Sequence, residues 1–260
     1  MMTSRREFLQ ASLTSLSVSM MARAAETPLV GLIFPSTGGN IPYEGAAMYP
    51  SGIRFIAGGV GLERMAYDDY DRVADRIAPV AQSLAKQGAS AIAIMGTSLT
   101  FFKGAAYNQS LIDGVKRATG LPCTSMSQAL VDGLHKVGGK RLAVATAYIP
   151  DVNARLGTFL KESGFEVLRV EGLGIEDLKD LRTVTQPALL EFSAGVREKT
   201  PAADALVISC GGLHTLELIA PLEKRCSVPV VSSLPHAFWA AARLVGNSGK
   251  APGFGRLLES

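Results

Sequence analysis

Short apolar segments alternate with longer amphipathic ones along most of the chain. The apolar segments have the length of strands and are rich in Val, Ile and Ala; the clearest lie at 29–34, 90–95, 141–145 and 205–209. Because they are apolar at nearly every position, they are typical of parallel strands buried on both faces. Amphipathic periodicity predicts covering helices at 74–86, 108–119, 151–163 and 186–199. Gly88, Gly120 and Gly164 follow the first three of these segments, where helices are expected to end.

The same pattern occurs twice. Three pairs of segments match in chain order at nearly equal offsets. The strand that ends at Pro35 matches the one that ends near Tyr148, 113 residues later; 90–99 matches 204–213, 114 residues later; and 120–125 matches 227–232, 107 residues later. The sequence therefore predicts an α/β fold of two pseudo-symmetric lobes, each a parallel four-stranded sheet flanked by helices. We expect lobe 1 to comprise 25–135 and 236–260, and lobe 2 to comprise 136–235, with the functional site in the cleft between them.

Strand ends from both lobes are predicted to surround that site, because ligands of such sheets bind beyond the carboxyl ends of the strands. These ends are Pro35, 96–98, Tyr148 and 210–212. Backbone N–H groups at the two strand-to-helix turns favour an anion. The hydroxyl groups of Thr97, Ser98 and Tyr148 add donors that would hold a carboxylate, and an enediolate more tightly. Capping of a helix is the structural alternative for Thr97 and Ser98.

Cysteine is the residue type with the most direct chemistry at this site. The chain has Cys123, Cys210 and Cys226 without a C-x-x-C motif, so neither a disulfide framework nor a zinc site is predicted. Cys123 and Cys226 are interpreted as core residues. Cys210 lies between an apolar strand and a Gly-Gly turn, where a thiol can meet a ligand. It could donate a proton as a thiol, or act as a nucleophile or base as a thiolate.

Charge and histidine spacing exclude several classes of partner. The net charge is +3 over 260 residues and no basic stripe lies outside the N-terminal segment, so nucleic acid is not predicted as a partner. The histidines His135, His214 and His236 lack the spacing of metal ligands, and no metal or cofactor is predicted. The partner is expected to be a small molecule. The oligomeric state stays open, with a monomer among the alternatives.

The N-terminus is similar to an export signal. Residues 4–9 resemble the twin-arginine motif, and an apolar run at 11–21 precedes Ala22-Arg23-Ala24, a plausible cleavage site. This predicts a signal peptide at 1–24 and a periplasmic protein. The apolar run is too short for a permanent membrane anchor. The alternative is an N-terminal helix or a later start at Met20 or Met21, which would leave the protein cytoplasmic.

Several motifs, in order along the chain, resemble the arylmalonate decarboxylases of the aspartate/glutamate racemase superfamily, which are related to maleate isomerases. They lie at 95–99, 104–108, 118–124, 145–153, 209–213, 228–233 and 252–257. The resemblance implies cofactor-independent, enantioselective decarboxylation of malonates that carry an α-aryl or α-alkenyl group. Racemases and isomerases of the superfamily have a second cysteine where this chain has Gly96, which favours delivery of a proton to one face only.

The resemblance also implies roles for individual residues. One malonate carboxylate would be held by Thr97, Ser98, Tyr148 and the N–H groups of Cys210 and Gly211, and Cys210 would protonate the resulting enediolate. The other carboxylate would face an apolar pocket formed by Pro35, Leu62, Met65, Tyr70, Leu178 and Leu181. His214 stands where the family leads us to expect leucine. We interpret it as a solvated helix residue, with tuning of the thiol as the alternative.

Two other functions stay open at this level. A racemase or cis-trans isomerase of a small dicarboxylate would need a different second base in place of Gly96. An exported solute-binding protein would share the two lobes, the cleft and the signal peptide. The physiological substrate is not determined by these motifs.

Overall fold

The computed structural model describes residues 27–37, 40–64 and 67–260. In this part of the chain the strands form two four-stranded sheets, and every strand pair is parallel. The predicted α/β fold of two parallel four-stranded sheets is confirmed. The predicted signal peptide at 1–24 and the pocket residue Met65 lie outside the described residues.

The two sheets have the same strand order. The first runs β2-β1-β3-β4 and the second β6-β5-β7-β8. The strands are β1 (Leu29–Phe34), β2 (Arg54–Gly59), β3 (Ala91–Ile94), β4 (Cys123–Ser125), β5 (Arg141–Thr146), β6 (Glu166–Gly172), β7 (Ala205–Ser209) and β8 (Val230–Ser232). The four continuously apolar segments of the sequence are thus the two central strands of each sheet, β1, β3, β5 and β7. They are covered on both faces, as their composition requires.

Helices cover both faces of each sheet. In the first half of the chain they are α1 (Tyr43–Met48), α2 (Tyr67–Ala74), α3 (Ile77–Lys86), α4 (Thr97–Phe101), α5 (Ala105–Thr119) and α6 (Met126–Val137). In the second half they are α7 (Pro150–Glu162), α8 (Gln186–Glu198), α9 (Leu216–Cys226), α10 (Ser233–Leu244) and α11 (Arg256–Glu259), with a 3₁₀ helix at Leu178–Thr183. Gly88, Gly120 and Gly164 follow α3, α5 and α7 with positive φ, as helix-terminating glycines do.

The predicted helix at 74–86 is wrong at its start. The structure has α2 ending at Ala74 and α3 beginning at Ile77, with a turn between them. Pro79 is the physical reason. It has no N–H to donate to the carbonyl of Asp75, and its ring would clash there, so Pro79 is tolerated only in the first turn of a new helix.

Helix α10 connects the two lobes. It follows β8 of lobe 2 in the chain but packs against β3, β4 and α6 of lobe 1. The edge of one ring faces the other where Phe238 of α10 packs against Phe55 of β2, with the ring centroids 5.1 Å apart. Gly45 of α1 lies so close that a Cβ at this position would be 2.6 Å from the Phe238 ring. Because of this packing, we propose that 236–260 belongs to lobe 1. The boundaries at 135/136 and 235/236 stay predictions.

Within the described residues, the structure has no helix that is both long and apolar enough to cross a membrane.

Phe238→Ala should lower the free energy of unfolding by about 3–5 kcal/mol, because it removes a fully buried ring from the packing between α10 and lobe 1. Urea denaturation measures the change. Leu168→Ala on the exposed face of β6 is the control, for which we expect a change within about 0.5 kcal/mol. Equal losses in the two variants would contradict the central position of α10.

Candidate active site

A cavity of about 390 Å³ lies where the carboxyl ends of the two sheets meet. Residues from both lobes line it, because each follows the end of a parallel strand or lies in the loop beyond it. It brings together most of the residues that the sequence singled out: Pro35, Leu62, Gly96, Thr97, Ser98, Tyr148, Leu178, Leu181, Cys210 and Gly211. It also contains residues that the sequence did not single out: Phe34, Ser36, Asn40, Met95 and Arg182.

The lobe 1 turn places two hydroxyl groups at the cavity. Gly96 is the residue before α4 and is extended, and no side chain caps this helix, so the capping alternative for Thr97 and Ser98 is wrong. Both side chains are buried and line the cavity. Because α4 has only 5 residues, its dipole is small. Hydroxyl groups and individual N–H groups are therefore the donors that this turn offers to an anion.

Gly96 has no room for a side chain in this arrangement. A Cβ at this position would lie 2.7 Å from Cγ of Pro35, on the neighbouring strand end. The Pro35 ring thus fills the space into which a second thiol would project, and it would have to move to admit one.

Tyr148 follows β5 and lines the cavity from lobe 2. Its ring is almost completely buried, and its hydroxyl lies 3.4 Å from the Oγ of Ser209. Burial raises the pKa of Tyr148 well above its ordinary value, and the nearby Cys210 raises it further. The phenol therefore keeps its proton at neutral pH and is available as a donor.

Cys210 follows β7 and is only 4% exposed. Burial raises the pKa of its thiol to about 11, against the opposing effect of hydrogen bonds from Gly212, Tyr148 and Leu213. The side chain is therefore a thiol at neutral pH. The N–H of Cys210 donates to the Oγ of Ser233 at 3.2 Å. In this structure Ser233 therefore accepts the N–H that was expected to bind substrate, and that role of the Cys210 N–H stays a prediction.

The two glycines after Cys210 permit a close turn. A Cβ at Gly211 would lie 2.8 Å from the Met126 sulfur, and one at Gly212 would lie 2.4 Å from Cδ1 of Leu181. The following helix, α9, begins only at Leu216. The N–H groups near the thiol thus belong to a turn, and no described residue accepts the N–H of Gly211.

The apolar part of the cavity comes from both lobes. Leu62 of lobe 1 meets Leu178 and Leu181 of the 3₁₀ helix in lobe 2. An isolated antiparallel bridge between Arg64 and Asp177 joins the two loops that carry them. Pro35 completes the apolar wall.

The role of Tyr70 as a pocket residue stays a prediction. Tyr70 is buried beside Ser98, packs against the Phe102 ring at 5.0 Å, and does not line the cavity. Its hydroxyl makes no hydrogen bond of ordinary length within the described part of the chain.

Ser233 is a site residue that sequence reasoning missed. As the first residue of α10, it accepts hydrogen bonds from Oγ1 of Thr97 at 3.0 Å and from the N–H of Cys210. One hydroxyl thus connects the strand-end turns of the two lobes. The signal was present in the repeat, because Ser233 directly follows the matched strand at 227–232.

His214 is exposed, as expected, but it is not a helix residue. It precedes α9 and lines the cavity, and its Nδ1 lies 2.7 Å from Oε1 of Glu44. Glu44 is fully buried in α1 of lobe 1. Since 170 residues separate the partners, no local pattern in the sequence could have indicated this pair.

The other cysteines lie away from the cavity. Cys123 is buried in β4, where burial raises its pKa to about 12, and Cys226 is half-buried at the end of α9. Neither side chain lines the site.

Comparison with known proteins identifies the family. The arylmalonate decarboxylase family model matches residues 30–258. The arylmalonate decarboxylase of Bordetella bronchiseptica is 44% identical over 236 residues, which cover 90% of this chain and 98% of that protein. A doubly substituted arylmalonate decarboxylase, solved in its liganded form, is 43% identical with a TM-score of 0.87, over 90% of this chain and 99% of the other.

A maleate isomerase of Pseudomonas putida has a TM-score of 0.82 at 21% identity, over 90% of this chain and 98% of the other, which shows a common fold alone. The family model and the Bordetella relative extend over nearly all of the described chain, including both strand-end turns and α10. The chain therefore belongs to the arylmalonate decarboxylase family.

Proposed function

We propose that this protein decarboxylates malonates carrying an α-aryl or α-alkenyl group, without a cofactor, and gives a single enantiomer of the monocarboxylic acid. Membership of the family makes it a carboxy-lyase. The observation that carries the finer proposal is the buried, protonated Cys210 thiol in a cavity that has hydroxyl donors on one wall and aliphatic side chains on another.

The retained carboxylate binds at the hydroxyl-lined wall. Ser98, Tyr148 and the N–H of Gly211 are the donors proposed for it, and Thr97 joins them by turning its hydroxyl from Ser233 to the bound carboxylate. In a site closed to water, such fixed donors interact more strongly with the doubly charged enediolate than with the monoanionic carboxylate. They therefore lower the barrier as well as bind the substrate.

The carboxylate that is lost faces the aliphatic wall of Pro35, Leu62, Leu178 and Leu181. Poor solvation of a charge beside these groups raises the energy of the bound ion, and loss of neutral carbon dioxide relieves it. The bond between this carboxylate and the α-carbon breaks, and its electron pair is delocalised over the α-carbon, the retained carboxylate and the aryl or alkenyl group.

Cys210 then protonates the α-carbon. Its thiol proton passes to the carbon, and the resulting thiolate takes a proton from water. A pKa of about 11 suits both steps, because the thiol is fully protonated at neutral pH and its thiolate readily recovers a proton. With Gly96 at the opposing turn, one face alone has a thiol, which favours decarboxylation with a single product configuration over racemisation or isomerisation.

The function is tested with methyl(phenyl)malonate and phenylmalonate, following carbon dioxide release and the chirality of 2-phenylpropionate. We expect rapid release and one enantiomer. Cys210→Ser should reduce kcat by about 10²–10⁴-fold, because the proton donor is lost. Cys226→Ser is the matched control.

Three outcomes would count against the proposal. Substrate binding without turnover by the unaltered protein would favour a solute-binding protein. Exchange of the α-proton of a chiral product acid with deuterium, at a rate above that of decarboxylation, would favour a racemase. Equal activity in the two cysteine variants would exclude Cys210 as the donor.

The pH dependence distinguishes an acid from a base. If the Cys210 thiol is the active form, its contribution to kcat stays constant between pH 7 and 9, since these values lie well below its pKa of about 11. If the thiolate were the active form, kcat would rise about tenfold per pH unit over the same interval. Single-turnover rates measured across this range decide between the two roles.

Tyr148→Phe should reduce kcat on the order of 10²-fold, because one donor to the enediolate is removed while the ring packing is kept. Tyr49→Phe is the control, since its buried hydroxyl donates to the carbonyl of Gly249 away from the cavity, and we expect little change in kcat. Thermal unfolding of Tyr148→Phe that matches the unaltered protein separates a catalytic effect from a structural one. A similar loss in both would contradict the role of Tyr148.

A further inference from the structure

The cavity has a polar end that the proposed chemistry does not use. Asn40, Arg182 and His214 line the same space as Cys210, and none of them belongs to the donors assigned to the enediolate. Arg182 follows Leu181 in the 3₁₀ helix, and His214 follows the Gly-Gly turn. The polar end is therefore contiguous with both the aliphatic wall and the thiol.

Glu44 fixes the imidazole of His214. Nδ1 of His214 is 2.7 Å from Oε1 of Glu44, whose carboxyl group is completely buried and whose Oε2 has no partner within the described residues. The Tyr43 ring lies 5.5 Å from the imidazole on another side, and the Tyr43 hydroxyl donates to Glu217 at 2.6 Å. A carboxyl group without access to water is costly unless it is paired, so this contact strongly restricts the ring.

The orientation leaves the second ring nitrogen for a ligand. Nδ1 is occupied by Glu44, and the side chain of His214 is 57% exposed and lines the cavity, so Nε2 is the ring nitrogen left to meet a ligand. Nε2 accepts a hydrogen bond when the ring is neutral and donates one when it is protonated. Arg182 supplies donors only; its Nε donates to the carbonyl of Lys179, and within the described chain it forms no ion pair.

A hydroxyl group matches this set of partners. It can donate to or accept from Nε2 of His214 and accept from Arg182 at the same time. A carboxylate could pair with Arg182, but it would lie on the same side as the carboxyl groups of Glu44 and Glu217, which stand beyond the imidazole and the Tyr43 ring; it is therefore the competing ligand that the test includes. A purely apolar group would leave the polar end without partners.

We propose that His214, held by Glu44 and assisted by Arg182, binds a hydroxyl group on the α-substituent of the substrate, so that the site favours hydroxyaryl malonates over unsubstituted ones. This inference rests on the proposed malonate chemistry. His214 is thereby a specificity-determining residue, and the aryl ring extends from the thiol along the aliphatic wall toward it.

The test compares (3-hydroxyphenyl)malonate and (4-hydroxyphenyl)malonate with phenylmalonate in the unaltered enzyme and in His214→Leu. For each protein, kcat/KM for a hydroxylated substrate is divided by kcat/KM for phenylmalonate. The quotient is this ratio in the unaltered enzyme divided by the same ratio in the variant. The division cancels the electronic effect of the hydroxyl on carbanion formation. We expect a quotient of about 5 to 10 for at least one isomer, the effect of one hydrogen bond.

Two controls make the quotient specific. His135→Leu replaces an exposed histidine on α6. When this variant takes the place of His214→Leu in the comparison, the quotient should be near 1. (4-Carboxyphenyl)malonate tests the opposite ligand chemistry, and a larger His214-dependent preference for it than for the hydroxyl would overturn the assignment of a hydroxyl.

A binding measurement separates this inference from the proposed function. Calorimetry with 3-hydroxyphenylacetate, 4-hydroxyphenylacetate and phenylacetate gives the same quotient from dissociation constants, without turnover. Failure of every malonate to react, with the binding quotient preserved, would overturn the decarboxylase proposal alone. Decarboxylation with quotients of 1 in both measurements would overturn the hydroxyl subsite alone.

Discussion

The Ser233 hydroxyl group connects the two halves of the site. It accepts one hydrogen bond from the side chain of Thr97 and another from the backbone of Cys210, and these two residues come from different lobes. Ser233 is itself the first residue of α10, whose rings pack into lobe 1. The hydrophobic packing of one helix therefore sets the distance and orientation between the turn that carries Thr97 and Ser98 and the thiol of Cys210. The cavity has its shape because this contact holds both turns at once.

Burial gives the site its chemical character. The same exclusion of water that raises the pKa of Cys210 to about 11 also keeps Tyr148 protonated and strengthens each hydrogen bond to a developing negative charge. The glycines after Cys210 allow this burial, since Leu181 and Met126 press against the turn where side chains would otherwise stand. A protonated thiol next to neutral donors suits a step in which charge appears on carbon and is then removed by a proton.

The two lobes differ at the cavity although their folds are equivalent. The repeat places Gly96 and Cys210 at equivalent turns, yet Pro35 fills the space beside Gly96. The lobe 2 side carries in addition His214, which reaches back to Glu44 of lobe 1. A pseudo-symmetric scaffold thus holds one thiol, one aliphatic wall and one polar end in an asymmetric arrangement.

The amino-acid sequence by itself determined the fold class, the duplication, the family and most residues of the cavity. Continuous apolarity marks the central strands, and parallel topology brings their carboxyl ends together, so Cys210, Thr97 and Tyr148 could be predicted from local patterns and the repeat alone. Edge strands and short helices carry weaker periodicity, and the break before α3 depended on one proline. The tertiary structure alone decided that Ser233 joins the turns, that Tyr70 packs against Phe102 beside Ser98 and that His214 pairs with Glu44. These contacts join residues 23 to 170 positions apart or depend on how rings pack, and no local pattern encodes them.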